Sequence, residues 1–69
     1  MFICFNLTDG TTISLLNNRI DSFYSTTKGI TTIAYCHLDG TVKEYDVTAD
    51  IDIVRTKLNI SLGGIIIKN

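Results

Sequence analysis

Two Asp-Gly sequences, Asp9-Gly10 and Asp39-Gly40, constrain the fold of this chain more than any other feature. Each lies between two runs of alternating residues that are typical of β-strands, and Asp and Gly both tolerate the left-handed backbone of a tight turn. Residues 38–41 also echo residues 7–11, thirty positions earlier. The pattern therefore predicts two β-hairpins of similar design.

The length of the first hairpin loop can be predicted from which residues it would place opposite each other. A three-residue loop pairs Phe5 with Ile13, whereas a two-residue loop pairs Phe5 with Ser14. Residues of like polarity should meet across a half-buried strand pair. We therefore predict the three-residue loop, with Gly10 as the bulge residue.

The second hairpin leaves two registers open. A three-residue loop sets Tyr35 opposite Lys43, and a two-residue loop sets Tyr35 opposite Glu44. In the first register, one face of the hairpin carries four residues with large side chains: Ile33, Tyr35, Tyr45 and Val47.

The rest of the chain predicts a weaker strand and a short helix. A third strand, with room for a bulge, is expected over residues 19–25, followed by a turn at residues 26–29. Residues 48–52 suit a helix start, with Thr48 as the N-cap and acidic residues in the first turn. Residues 51, 54 and 58 then form one apolar stripe, and Asn59 is expected to end the helix.

We predict one domain over residues 1–69. Its fold class is mainly β (a β-rich α+β fold): a curved antiparallel sheet of about five hairpin-connected strands with one short C-terminal helix. Residues 60–69 form a tail in which Ile65, Ile66 and Ile67 read as a further strand. An unpaired apolar strand promotes aggregation, so this strand should pair with its own sheet or with a neighbouring subunit. A chain of 69 residues buries little surface, which also favours a homo-oligomer.

The order of these elements resembles the small FlbD-like family encoded in flagellar operons. The resemblance covers residues 3–58 and rests on short motifs: Asp9-Gly10, Asn17-Asn18, Ile20, residues 31–33, Asp39-Gly40, Val47 and the helix over residues 51–58. The tail departs from the family pattern. The resemblance implies a small β-rich fold with a terminal helix, and it implies no catalytic residues.

Charge and composition argue against several classes of partner. Six Lys and Arg residues against seven Asp and Glu residues give a net charge of −1, which predicts no binding to duplex nucleic acid or to an anionic membrane. No apolar run approaches the ~20 residues that span a bilayer. The N-terminal sequence lacks the features of a signal peptide, so we expect a cytoplasmic protein with reduced thiols.

The sequence offers little support for chemistry. Cys36 and His37 are neighbours in a strand and should point to opposite faces, as a buried thiol and an exposed imidazole. With Cys4 they make three ligands, and structural zinc sites use four. No Gly-x-Ser-x-Gly sequence is present either. We therefore expect no metal, no cofactor, no catalytic residues and no enzymatic activity.

The aromatic and basic residues are the candidates for binding. Tyr24, Tyr35 and Tyr45 could form a stacking surface, or they could simply lie half-buried in the sheet. The basic residues that could accompany them are Arg19, Lys28 and Lys43.

Size, composition and the absence of an assembled catalytic set suggest the first of three functions, and the aromatic and basic residues suggest the other two. The first is a homo-oligomeric interaction protein that binds a host or partner protein, as an inhibitor or accessory factor of phage or mobile-element origin. The second is an oligomeric sponge that holds a nucleotide or cyclic-nucleotide signal at subunit interfaces. The third is a single-stranded nucleic-acid-binding domain.

Overall fold

The computed structural model describes residues 1–61, with side chains as far as Asn59. Five strands precede one helix: β1 (Phe2–Asn6), β2 (Thr12–Leu16), β3 (Ile20–Thr27), β4 (Ile30–Cys36), β5 (Val42–Val47) and α1 (Ile51–Ser61). The predicted class, mainly β with about five strands and one short helix, is confirmed. Among residues 1–61, no helix is long and apolar enough to cross a membrane.

The antiparallel strands divide into two sheets that join at one corner. β1 pairs with β2, and β4 lies between β3 and β5. An isolated antiparallel bridge links Leu7, just after β1, to Val47 at the end of β5. Thr48 N donates to Asn6 O at 2.8 Å beside this bridge. The strands expected in one curved sheet therefore form two antiparallel sheets linked by the bridge at Leu7, and both sheets contribute side chains to the core.

The hydrophobic core lies between the two sheets and under the helix. It contains side chains of both sheets and of α1: Ile3, Phe5, Leu15, Ile33, Tyr35, Val47 and Val54. Leu15 keeps only 1% of its surface exposed. Burying one such side chain contributes about 1.5–3 kcal/mol, so these few residues supply much of the driving force for folding.

Both hairpins have three-residue loops. Phe5 pairs with Ile13, as predicted. Tyr35 pairs with Lys43, which resolves the register that the sequence left open. In each loop the glycine has a positive φ angle, 90° at Gly10 and 89° at Gly40.

The aspartate of each loop holds the turn in place through the threonine two residues later. Asp9 Oδ1 accepts hydrogen bonds from Thr11 N at 2.9 Å and from Thr11 Oγ1 at 2.6 Å. Asp39 Oδ1 accepts the same pair from Thr41 at 3.0 and 2.7 Å. These bonds favour the ionised carboxylates, so the pKa values of Asp9 and Asp39 lie below their usual range.

Two expectations about the helix were wrong. Thr48 does not cap it, because Thr48 Oγ1 donates to Asn6 O at 3.2 Å across the sheet corner. The residue before the helix is Asp50, whose carbonyl accepts from Val54 N at 3.1 Å. Its carboxylate accepts from Gly29 N at 2.9 Å and so ties the helix start to the β3–β4 turn. The helix also continues past Asn59 to Ser61.

The third strand is longer than predicted. β3 extends to Thr27, which pairs with Ile30, so that Lys28 and Gly29 alone form the turn. The pairing register shifts at both ends of the strand, which confirms the expected irregularity. In the expected tail strand, residues 60–61 belong to α1. The remainder of the tail, with Ile65, Ile66 and Ile67, lies outside the described residues.

Replacing Gly40 by Ala should destabilise the protein by about 1–2 kcal/mol, because a left-handed residue with a Cβ is strained. Nothing lies within 4 Å of a Cβ at this position, so the cost is conformational rather than steric. Urea unfolding of the variant and the wild type measures this loss of stability. Gly40→Asn is the matched control and should cost less, since Asn tolerates this conformation. Equal stability of the wild type and Gly40→Ala would contradict the loop assignment.

The two turn aspartates should make stability depend on pH in the acid range. Their folded-state pKa values are depressed, so their contribution is complete above the unfolded value of 3.8 and is lost as the pH falls below it. Chemical denaturation of the wild type should therefore show stability falling as the pH is lowered from about 4 to about 2. The Asp9→Asn/Asp39→Asn double variant should lose less over the same interval, and an identical slope would refute the turn mechanism.

Candidate partner-binding surface

A groove with a volume of about 440 Å³ lies at the end of the molecule where β1 begins. We call it the end groove. Residues from β1, β2, β4 and the second hairpin loop line it: Phe2, Leu16, Tyr35, His37, Leu38 and Asp39. Its walls therefore come from three separate parts of the sequence and depend on the packing of the two sheets.

Large apolar side chains stand exposed around the end groove. Phe2 keeps 64% of its surface exposed and Leu38 keeps 85%. Met1, whose carbonyl accepts from Asn17 N at 3.0 Å, is 70% exposed. Several exposed apolar side chains gathered at one end are typical of a surface that binds another molecule.

The floor of the groove is fixed by a tyrosine hydrogen bond. Tyr35 is only 7% exposed, and its hydroxyl accepts from Leu16 N at 3.1 Å. This bond connects β2 of one sheet to β4 of the other. It also gives the buried phenol oxygen a partner, which a polar group in a core requires.

His37 forms one wall and is held from several sides. Its Nε2 lies 3.0 Å from Tyr45 Oη, and its ring meets that of Tyr35 edge-on with centroids 5.1 Å apart. Arg19 Nη2 donates to His37 O at 3.4 Å. His37 is therefore half-buried, and the expectation of an exposed imidazole was wrong. Neighbouring Cys36 is half-buried as well, with its thiol 3.7 Å from the same carbonyl.

The Arg19 guanidinium contacts the backbone of His37 in this wall and is not a freely exposed cation. Its side chain is half-buried, and its Nε is buried without a hydrogen-bond partner among the described residues. The contact with the carbonyl of His37 fixes one end of the guanidinium. Arg19 is thus placed to support the loop that carries Leu38.

Tyr24 lies on the opposite face of the three-stranded sheet. It pairs with Thr32, whereas Tyr35 and Tyr45 belong to the alternate residues that face the core. Its hydroxyl donates to Glu44 Oε2 at 3.0 Å, and this bond raises the pKa of the Tyr24 phenol. The three tyrosines therefore do not form the shared stacking surface that the sequence suggested.

The lysines are also separated. Lys28 occupies the turn before β4, and Lys43 is opposite Tyr35 near the end of that strand. At about 3.4 Å per residue, the length of β4 keeps the two positions roughly 20 Å apart. The structure gathers Tyr35, Tyr45 and Arg19 around His37, and it does not bring Tyr24 or Lys28 to them.

The sequence pattern did not single out Phe2, Leu16 or Leu38. One signal for Leu38 was present, however. In the two related loops, Leu38 occupies the position that Thr8 has in the first loop, so an apolar residue replaces a polar one at an exposed turn. Within residues 1–61, no three His, Cys, Asp or Glu side chains come together as metal ligands would.

No protein-family model, no curated protein and no solved structure matches this chain. The resemblance to the FlbD-like family therefore stays a prediction.

Replacing Tyr35 by Phe should cost about 0.5–1.5 kcal/mol of stability, because Leu16 N loses its hydrogen-bond acceptor beside the core. Urea unfolding again gives the free energy. Tyr24→Phe is the control, since its hydroxyl bonds on the exposed face and its loss should change stability by less than about 0.5 kcal/mol. A Tyr35→Phe variant as stable as the wild type would show that this bond does not hold the groove floor.

Proposed function

We propose that the protein is a non-enzymatic interaction protein that binds a partner polypeptide through the end groove. The observation that carries the proposal is the exposure of Phe2 and Leu38 beside a floor fixed by Tyr35. Exposed apolar side chains on a rigid support are what a protein interface uses as anchors. Binding would remove these side chains from water at a gain of about 25 cal/mol for each Å² of apolar surface.

The chemistry of the groove favours a polypeptide over an anionic ligand. Its lining is largely apolar, with Asp39 at the rim and His37 in the wall. Among the described residues, no Lys or Arg belongs to that lining. A phosphate group would thus meet the Asp39 carboxylate, which is unfavourable, while the guanidinium of Arg19 beside the wall donates to His37 O. Apolar side chains of a peptide would instead contact the apolar side chains that line the groove.

The two nucleotide-related functions have less support within one protomer. They require Tyr24, Lys28 and Lys43 to act with Tyr35. Lys43 is the cross-strand partner of Tyr35, but Tyr24 lies on the opposite face of the sheet and Lys28 at the other end of β4. A composite site between subunits stays a hypothesis. So does the role of an inhibitor or accessory factor of phage origin, in which the protein acts as a homo-oligomer on a host protein.

Selection of a random peptide library on the immobilised full-length protein tests the proposal. We expect enrichment of peptides with two or more large apolar residues. These peptides should bind the wild type and lose binding to Leu38→Glu, because the new carboxylate would have to be desolvated next to an apolar ligand.

Ile53→Glu is the matched control, because Ile53 is also an exposed aliphatic residue, 49% accessible, and lies on α1 away from the groove lining. Selected peptides should bind this variant as they bind the wild type. Absence of enriched peptides, or peptides that bind Leu38→Glu equally well, would count against the end groove as a binding surface. Circular dichroism of both variants shows that they remain folded.

A further inference from the structure

We propose that the end groove of one copy binds the C-terminal segment of a second copy, residues 65–67, in a two-fold symmetric dimer. This inference rests on the proposed function of the groove as a polypeptide-binding surface. It identifies residues 65–67 of a second copy as the segment that binds in the groove when no other partner is present.

The direction of α1 leads the chain towards the end of the molecule that carries the groove. Just before α1, Thr48 N donates to Asn6 O at the far end of β1. Further along α1, Lys57 Nζ donates to Cys4 O at 3.0 Å, closer to the start of the strand. The helix therefore advances along β1 towards Phe2, which lines the groove. From this direction we infer that the chain leaves Ser61 towards the groove end of the molecule.

The remaining sequence is long enough to reach a neighbouring groove. Five residue steps separate Ser61 from Ile66, and an extended chain covers up to about 3.4 Å per step, roughly 17 Å in all. Gly63 and Gly64 lie within these steps and place few steric limits on the direction of the chain.

The segment matches the groove in polarity and charge. Ile65, Ile66 and Ile67 are three consecutive β-branched apolar residues, and burying them removes the aggregation hazard that they pose in water. Lys68 follows directly, and a segment seated in the groove brings this cation to the rim that carries Asp39. The pairing is thus apolar at the centre and of opposite charge at the edge.

Symmetry favours a second copy as the source of the segment. The groove and the exit of the chain lie at the same end, so one two-fold axis at that end sets each segment beside the other copy's groove. The same contact would cover Met1, Phe2 and Leu38, whose surfaces are 70%, 64% and 85% exposed. Entry of the segment into the groove of its own chain is the alternative, and it would leave the wild type monomeric.

Self-association and binding of another partner then exclude each other. A partner polypeptide that uses the same apolar contacts must displace the segment of the second copy. The dimer forms when no other partner is bound, and it covers the exposed apolar side chains around the groove.

Sedimentation of the full-length protein at micromolar concentrations tests the inference. The wild type should show twice the chain mass of 7.6 kDa. Leu38→Glu damages the groove and Ile66→Glu damages the segment, and each should raise the dissociation constant by about 30-fold or more, the effect of losing a central interface contact. Ile53→Glu should remain dimeric.

Mixing the two damaged variants separates segment exchange from other contacts. A mixed dimer of Leu38→Glu and Ile66→Glu retains one intact groove that faces one intact segment, so native mass spectrometry should show it in excess over either homodimer. A monomeric wild type, or an Ile66→Glu variant that dimerises like the wild type, would overturn the inference. If the wild type is monomeric while selected peptides still bind the groove, the proposed function stands and the exchange falls.

Discussion

The backbone junction between Leu7 and Val47 is the contact on which the rest of the fold depends. Val47 is fully buried, and the hydrogen bond from Thr48 N to Asn6 O lies next to it. The junction bends the antiparallel strands into two sheets and encloses the core. It also sets the start of the helix, since Thr31 Oγ1 donates to Ala49 O at 2.7 Å immediately afterwards. The course of α1 towards the end groove follows from this corner.

β4 is the second fixed element, because both of its faces are covered. Residues 31–35 are all buried. The core covers one face, and on the other face Thr32 Oγ1 donates to Asp46 Oδ1 at 2.7 Å. The strand is thus rigid up to the loop that follows it, where His37 and Leu38 emerge. An exposed apolar side chain on such a support would lose little backbone entropy on binding, which supports the proposal that Leu38 is an anchor.

Local patterns predicted the parts of the fold that depend on neighbouring residues. The alternation around Asp9-Gly10 gave the correct pairing of Phe5 with Ile13, because turn chemistry and side-chain polarity favoured the same register. The cap at Thr48 was wrong because its hydroxyl is used by Asn6, a residue 42 positions away. No local pattern contains that contact.

The groove was harder to foresee for the same reason. Phe2, Leu16 and Leu38 meet only after two hairpins have packed on each other, so their spacing in the sequence carries no signal. Tyr35 was a reasonable candidate for an exposed face, but the second sheet covers it and turns it into the floor. Because Tyr24 on β3 pairs with Thr32 on β4, strand alternation places Tyr24 and Tyr35 on opposite faces of the sheet.

The most direct test of self-association through the end groove is a dilution series of the full-length protein followed by amide chemical shifts in NMR spectra. Association through the groove predicts concentration-dependent shifts at Phe2, Leu16 and Leu38, with little change at Ile53 or along the exposed residues of β3. Shifts that instead cluster on β3 or on the face of Tyr24, or spectra that do not change with concentration, would contradict it.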